Sequence, residues 1–598
     1  MPLGKLTESL GKKRAAHLLR RACFGASIAD IDQFSNLTPQ EAFERLYTDL
    51  PDPTPPIDPA TGREWVITGT TDANSEGFEL NRYLNAWMVD QAIASNVEDS
   101  LKISYSFRER LVFFLHTLFT TKASTVNNSR AIYFQQALFR KYAFDLEDRS
   151  RPDPESTTET PLPDIEIGVN LKELTKKICV DNAMLIFLDG RLNVKGSPNE
   201  NYARELLELY TIGRGLEGNV PQGDFDGDYY YYTEQDVQEG AKVLSGFNFD
   251  ENFINIDLDT NLPRGMIRGG GTIAGSHDNS VKTFSSRFES ASISPDTELL
   301  LSGQPTEESL LDEISQLVDL IYNQSQTPIH ICRRIYRFFV YHEITPELEA
   351  DIIQEMANVF VANDYKLYYV LEALFTSSHF YDGDAGYTND NFGGLIKSPF
   401  DLIVGYHKNF GLSLPPYDTS YGSFYDDYAL PLLGQINVQG MDFYDPYEVA
   451  GYSAYHQYPI YNRSWITTNY LTNRYQFIQE RTSNGISLQA GEVDVFNFVK
   501  STIPSGVARD AQSLIISLAE YFLPVSENLS FTDGATSELT TDRLNYFLSV
   551  FLYSPQIDMD PEAAWTERWD NNNDTETMAN QVLSLINAML QSPEYQLM

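Results

Sequence analysis

The stretch SPNENYARELLELYTIG, Ser197 to Gly213, decides how the chain is read. Ser197 is a natural N-cap, Pro198 suits the first helical position, and Glu200 falls three residues after the cap. Together they make a Ser-x-x-Glu capping box, in which each side chain satisfies the other's orphan amide. Gly213 stands where a left-handed C-cap is wanted. The spacing predicts a helix over 198–212. Tyr202, Ala203, Leu206, Leu207, Leu209 and Tyr210 then share one broad apolar side. Asn201, Arg204, Glu205 and Glu208 share the other, with Glu200–Arg204 and Arg204–Glu208 as i,i+4 pairs of about 0.2–0.5 kcal/mol each. The plain reading of that polar side is a solvated face. The sharper one is that Arg20 or Arg21, near the chain start, crosses to Glu205 or Glu208.

Working outward, helical periodicity dominates. Ala15, Leu18, Leu19 and Ala22 stripe a first helix. Thr38, Pro39 and Glu41 open another with its own capping box. Helical patterns return over 81–145, 171–187, 233–245, 305–322, 328–342, 345–360, 364–377 and from about Val493 to the end. Two proline-rich excursions, 51–62 and 147–164, read as surface linkers. The expected fold is mostly α: one large multi-helix body with loop-rich, aromatic and proline-rich excursions and at most a small β hairpin. Its parts are an N-terminal helical part (1–146), a linker (147–170), a central helical part (171–385) with an irregular insert (247–300), a loop-rich aromatic segment (386–480) and a C-terminal helical part (481–598).

With 43 Lys and Arg against 84 Asp and Glu, the chain carries a net charge of −41. Such a surface repels phosphate backbones, so nucleic-acid binding is excluded as a function class. Cys23, Cys179 and Cys332 are far apart and form no C-x-x-C, which reads as buried thiols. No apolar run reaches the length of a membrane span. The basic start, MPLGKLTESLGKKRAAHLLRRACFG, lacks an apolar stretch before a cleavage site and reads as the first amphipathic helix.

The opening stretch also resembles the signature of an uncharacterised bacterial family, domain of unknown function 1800. Further segments agree in order along the chain: AAHLLRRACFG (15–25), FFLHTLFTT (113–121), YTEQDVQEGAKVLSGF (232–247), HDNSVK (277–282), ICRRIYRFFVYHE (331–343), IKSPFDLIVG (396–405), LLGQ (432–435), YEVAGY (447–452), RSWITT (463–468) and SPEYQLM at the end. The resemblance implies a protein of the cell envelope or the exterior, because members often carry export signals. It also implies an alkaline-phosphatase-like or sulfatase-like companion, because members are often encoded beside one. It supplies no reaction. Two features depart from the family pattern: no export signal is evident, and Leu118 stands where the family often has a second histidine.

Several groups are candidates for chemistry. Histidine is scarce, eight in all. His17, His116 and Glu200 would suit a divalent metal such as zinc, iron or manganese if folding brought them together. His116 lies in LVFFLHTLF, apolar all round, where a core histidine is the ordinary reading. His277 and Asp278, with Glu205, are candidate acid–base residues, since an aspartate can orient an imidazole; the plain alternative is a turn with an Asp cap and an exposed histidine. Arg20, Arg21 and Arg204 are candidate binding residues, with buried Arg–Glu pairs between helices as their structural reading. DFDGDYYYYTEQD (224–236) spaces Asp224, Asp226 and Asp228 as calcium loops do, but its glycine and its twelfth position do not fit. Tyr452 and Trp465, in a tyrosine-dense segment, would serve glycan recognition if exposed and coplanar. The leading expectation is a partner-binding or scaffold protein acting with the phosphatase-like companion. A hydrolase with a His/carboxylate or metal centre and a glycan-binding module are the alternatives.

Overall fold

The structure is a computed structural model that describes residues 3–69, 77–153, 156, 162–382, 391–485, 491–554 and 560–598. Within the proline-rich segment 147–170, residues 154–155 and 157–161 lie outside the described residues. The body is mostly helical. Among the described residues, extended structure is limited to six two-stranded pairs with strands of two or three residues. Three of these, 247–248 with 266–267, 256–257 with 262–263, and 282–283 with 292–293, fold the glycine-rich insert back on itself. One hydrophobic core runs through the chain from Leu3 to Tyr595.

Helix starts follow local chemistry. Thr38 and Glu41 form the expected capping box before Pro39–Leu46: the Glu41 amide donates to Thr38 Oγ1 (3.3 Å) and the Thr38 amide to Glu41 Oε2 (2.8 Å). Before Glu234–Val243, the Thr233 amide (2.7 Å) and hydroxyl (2.9 Å) both donate to Asp236 Oδ2. Ser398, Pro399 and Asp401 open the helix Pro399–Asn409. That helix lies in the segment read as loop-rich, as do Leu430–Val438 and Thr468–Arg481. Pro399–Phe400–Asp401–Leu402–Ile403–Val404–Gly405–Tyr406–His407 is buried all round, so it shows no amphipathic period to find.

The decisive stretch folds differently from its cap signature. Ser197 does not cap a helix; it bridges to Val194, and its amide donates to Val194 O (3.0 Å). The helix begins at Asn201, whose amide donates to Asn199 Oδ1 (3.0 Å). From Leu206 to Thr211 it widens into a π-helix. The Ile212 and Gly213 amides both donate to Leu207 O (3.0 Å), and Thr211 Oγ1 donates to Leu206 O (2.5 Å). The wider turn carries Glu208 off the Arg204 row. Arg204 pairs with Glu200 (3.3 Å) and with Glu234 of the next helix (2.5 Å), while Glu208 pairs with Arg214 (2.6 Å).

At the centre of the body, Arg110 of helix Lys102–Leu118 donates to Asp401 of helix Pro399–Asn409. Both side chains are shut off from solvent. The guanidinium is sandwiched between Phe24, just past the first helix Gly11–Cys23, and Phe338 of helix Gln326–Phe339, at 4.7 and 4.5 Å from the ring centroids. Four elements that carry family-like segments therefore meet at one ion pair. The three cysteines are buried free thiols, and among the described residues no helix is long and apolar enough to cross a membrane.

Gly213 ends the π-helix with φ +74°, and a Cβ there would sit 2.3 Å from His330 Nδ1. Gly213→Ala should cost about 2–4 kcal/mol of stability in urea unfolding, from left-handed strain plus the clash. A loss below about 0.5 kcal/mol, within the range of an ordinary surface change, would contradict this geometry.

Candidate functional site

The histidines predicted as metal ligands are core residues. His17 lies between Phe380 and Phe392, with ring centroids 4.7 and 4.5 Å away. Burial, then Arg21 and Arg20, hold its pKa well below the ordinary imidazole value. His116 packs on Tyr444 at 4.2 Å, and burial pushes its pKa down to about 3. Among the described residues, neither His116 nitrogen has a hydrogen-bond partner. Glu200 is held by Arg204. Among the described residues, no three His, Cys, Asp or Glu side chains gather as a metal site requires, so His17, His116 and Glu200 do not form one.

His277 and Asp278 do not form a dyad. His277 is buried rather than exposed; its Nδ1 lies 2.8 Å from Ser245 O, and its Nε2 faces Glu313 Oε2 at 3.2 Å and Lys282 Nζ at 3.4 Å. Lys282 donates to the same Glu313 oxygen. Burial lowers the Lys282 pKa, and Glu313 opposes that shift. Asp278 instead caps its own turn, accepting from the amide (3.0 Å) and hydroxyl (2.7 Å) of Ser280. The carboxylate that matters, Glu313, was missed. Its signal was available: in helix Glu307–Tyr322 it lies on the apolar stripe with Leu310, Ile314 and Leu317, where an acid needs a buried partner.

The predicted crossing from the chain start to Glu205 or Glu208 does not occur. Arg20 donates to Tyr521 O (2.8 Å) and Leu523 O (3.4 Å), and Arg21 to Asn391 O (2.7 Å). Arginine–glutamate pairs do tie elements together elsewhere, as in Arg333–Glu349 (2.7 Å) and Arg204–Glu234. The calcium-like loop is tied by an arginine: Arg287 donates to Asp228 Oδ2 (2.5 Å) and Asp224 Oδ2 (3.3 Å). The aromatic segment is not a platform. Tyr452 and Trp465 are buried with their rings 52° apart, and the Tyr452 hydroxyl donates to Asp442 O (3.0 Å).

Glu205, the remaining predicted acid–base residue, has different surroundings. Glu205 sits where the α-helix Asn201–Glu205 passes into the π-helix, half-buried, with no ion pair or hydrogen bond among the described residues. Burial, then the Glu208 carboxylate, raise its pKa to about 7 against the opposing pull of Arg204 and Arg214. The buried Tyr210 phenol lies within electrostatic reach of both Glu205 and Arg334, and its own pKa is driven well up by burial. Helix Gln326–Phe339 brings Arg334, which donates to Thr117 O, and His330, whose Nε2 lies 3.0 Å from Leu209 O. Insertions of π geometry recur at functional sites. A carboxyl poised near neutrality can take up or release a proton under ordinary conditions.

Because folding raises the Glu205 pKa from 4.5 to about 7, the folded chain binds more protons than the unfolded one between those values. Its contribution to stability is therefore fully present at low pH and is lost as pH rises through that window. Glu205→Gln should gain stability relative to the parent between pH 5 and pH 8, and carboxyl-labelled NMR should show a glutamate titrating near neutrality that the variant lacks. An ordinary carboxylate titration at Glu205 would contradict this environment.

No curated protein and no solved structure matches the chain. The family described as Protein of unknown function (DUF1800) matches residues 17–597. The matched span contains the π-helical stretch, the Arg110–Asp401 pair and the buried His277 cluster, and this chain belongs to the DUF1800 family.

Proposed function

We propose that the chain is a partner-binding protein of the bacterial envelope or exterior, acting with an alkaline-phosphatase-like or sulfatase-like companion. The observation that carries this reading is an exposed apolar segment. Tyr447, Val449, Tyr458 and Ile460 all face solvent, with Tyr447 90% and Tyr458 54% exposed. Glu448 Oε2 and His456 Nε2 lie 3.6 Å apart within the segment. Tyr458 also packs over Gly218, next to exposed Val220. Exposed tyrosines on a loop are costly to hydrate and suit the centre of an interface. The chain's net charge of −41 favours a partner with basic residues at its rim. The burial of His17, His116 and His277 supports the same reading, since none of them reaches solvent. The companion and the compartment rest on the family resemblance.

A second reading, a hydrolase working through a carboxyl group, is favoured by Glu205 alone.

Co-purification from the native host with an alkaline-phosphatase-like or sulfatase-like companion tests the first reading. The parent should retain the companion, and a Tyr447→Ser/Tyr458→Ser variant should lose most of it while keeping its circular dichroism and melting temperature. Unchanged retention by the variant, or no association in the parent, would overturn it. Ester or phosphoester turnover by the purified chain that Glu205→Gln abolishes would establish the second reading instead.

A further inference from the structure

A cavity of about 310 Å³ lies beneath the first proline-rich excursion, and none of the candidate site residues described above lines it. Its wall is built rather than incidental. Arg108 Nη1 donates to Pro51 O (2.8 Å), the Tyr417 hydroxyl donates to Thr54 O (3.0 Å), and Lys141 pairs with Asp52 (2.9 Å). These three contacts pin residues 51–54 over the end of helix Phe78–Ile93.

The floor of the cavity includes Asp90, which is only 1% exposed. Its Oδ2 accepts from Asn96 Nδ2 (3.3 Å) and the Ser95 side chain lies against the same carboxyl, while its Oδ1 has no hydrogen-bond partner among the described residues. A buried carboxylate oxygen left unpaired is costly unless a donor or a cation meets it. Two nearby donors are engaged elsewhere: the Tyr105 hydroxyl donates to Gln91 Oε1 (2.6 Å), and Gln91 Nε2 donates to Trp87 O (3.3 Å); Ser95 and Asn96 are the side chains that face Asp90. Three carboxylates, Asp52, Asp90 and Glu98, line the cavity, and among the described residues no lysine or arginine does. Burial drives the Asp90 pKa up to about 7 against the opposing pull of Ser95 and Asn96. Pro53, Ala94, Leu101 and Tyr417 supply apolar wall.

We infer that this cavity binds a small aliphatic amine, with the ammonium group on Asp90 and the methylene chain against Tyr417 and the proline-rich wall. An ammonium brings three donors and one positive charge, which is what the empty Oδ1 and the lining carboxylates lack. A diamine places its second ammonium toward Glu98. The protein's overall negative charge raises the local concentration of such cations.

Calorimetric titration of the full chain at physiological ionic strength tests this, using 1,4-diaminobutane, its neutral counterpart 1,4-butanediol and calcium chloride. The diamine should bind with saturable heat, and the diol and calcium should not. Asp90→Asn should weaken diamine binding by about tenfold or more, and Glu98→Gln by less. Absence of diamine binding at about 10 mM, equal binding of the diol or calcium, or unchanged affinity in a folded Asp90→Asn variant would overturn the inference. Should Asp90→Asn fail to fold, the diamine-against-diol comparison on the parent chain decides alone.

Discussion

A guanidinium with no access to water must be neutralised where it sits, and Arg110 meets that demand through Asp401. The rest of the body is arranged around this constraint. Asp401 serves twice: one oxygen accepts from Arg110, and the other accepts from the amide (3.0 Å) and hydroxyl (2.7 Å) of Ser398, which starts its helix. Phe24 and Phe338 cover the two faces of the guanidinium, so the first helix and helix Gln326–Phe339 are positioned by the same group. The buried Tyr455 phenol lies close enough to feel both charges. Removing one partner of such a pair leaves an uncompensated charge inside, at about 3–5 kcal/mol, whereas replacing both with apolar groups can be nearly neutral.

Other buried cations are handled in a second way, by capping backbone carbonyls. Arg20 donates to Tyr521 O at the last turn of helix Ala511–Phe522, and Arg334 to Thr117 O at the last turn of Lys102–Leu118. Lys397 donates to Tyr595 O (2.7 Å), and Arg474 to Lys397 O (2.8 Å). Helix C-termini leave carbonyls unsatisfied and carry partial negative charge, so a buried cation there meets a hydrogen-bonding and an electrostatic need together. A chain with a net charge of −41 thus places several of its few cations inside, as fasteners between distant segments. Five of the eleven family-like segments, 15–25, 113–121, 331–343, 396–405 and the closing SPEYQLM, contribute to these fasteners. The exposed features, Tyr447, Tyr458 and the half-buried Glu205, lie around them.

How much of this was legible follows from what each contact depends on. The box at Thr38 and Glu41 could be read directly, because both partners lie within one turn. The apolar surroundings of His116 were also readable from LVFFLHTLF. The Ser197 box was not decisive, because Asn199 and a bridge to Val194 compete for the same turn. The π-helix was invisible, because widening a turn by one residue leaves a leucine-rich stripe intact. His277 could be seen to want a carboxylate, but the nearest in sequence, Asp278, is held by Ser280, and the true partner lies 36 residues away. The targets of Arg20 and Arg21 could not be read at all, since a backbone carbonyl carries no side-chain signature. The polar lining of the Asp90 cavity depends on residues 51–54 folding over a helix end, a long-range event that proline content alone does not encode.

The central claim, that the body is organised by the Arg110–Asp401 pair, is tested most directly by a double-mutant cycle in urea unfolding with Arg110→Met, Asp401→Asn and both together. The expected result is two strongly destabilised single variants and a double variant far better than their sum, with a coupling of about 2 kcal/mol or more. Additive losses within about 0.5 kcal/mol would mean that the two residues act independently, and that the body is held by something else.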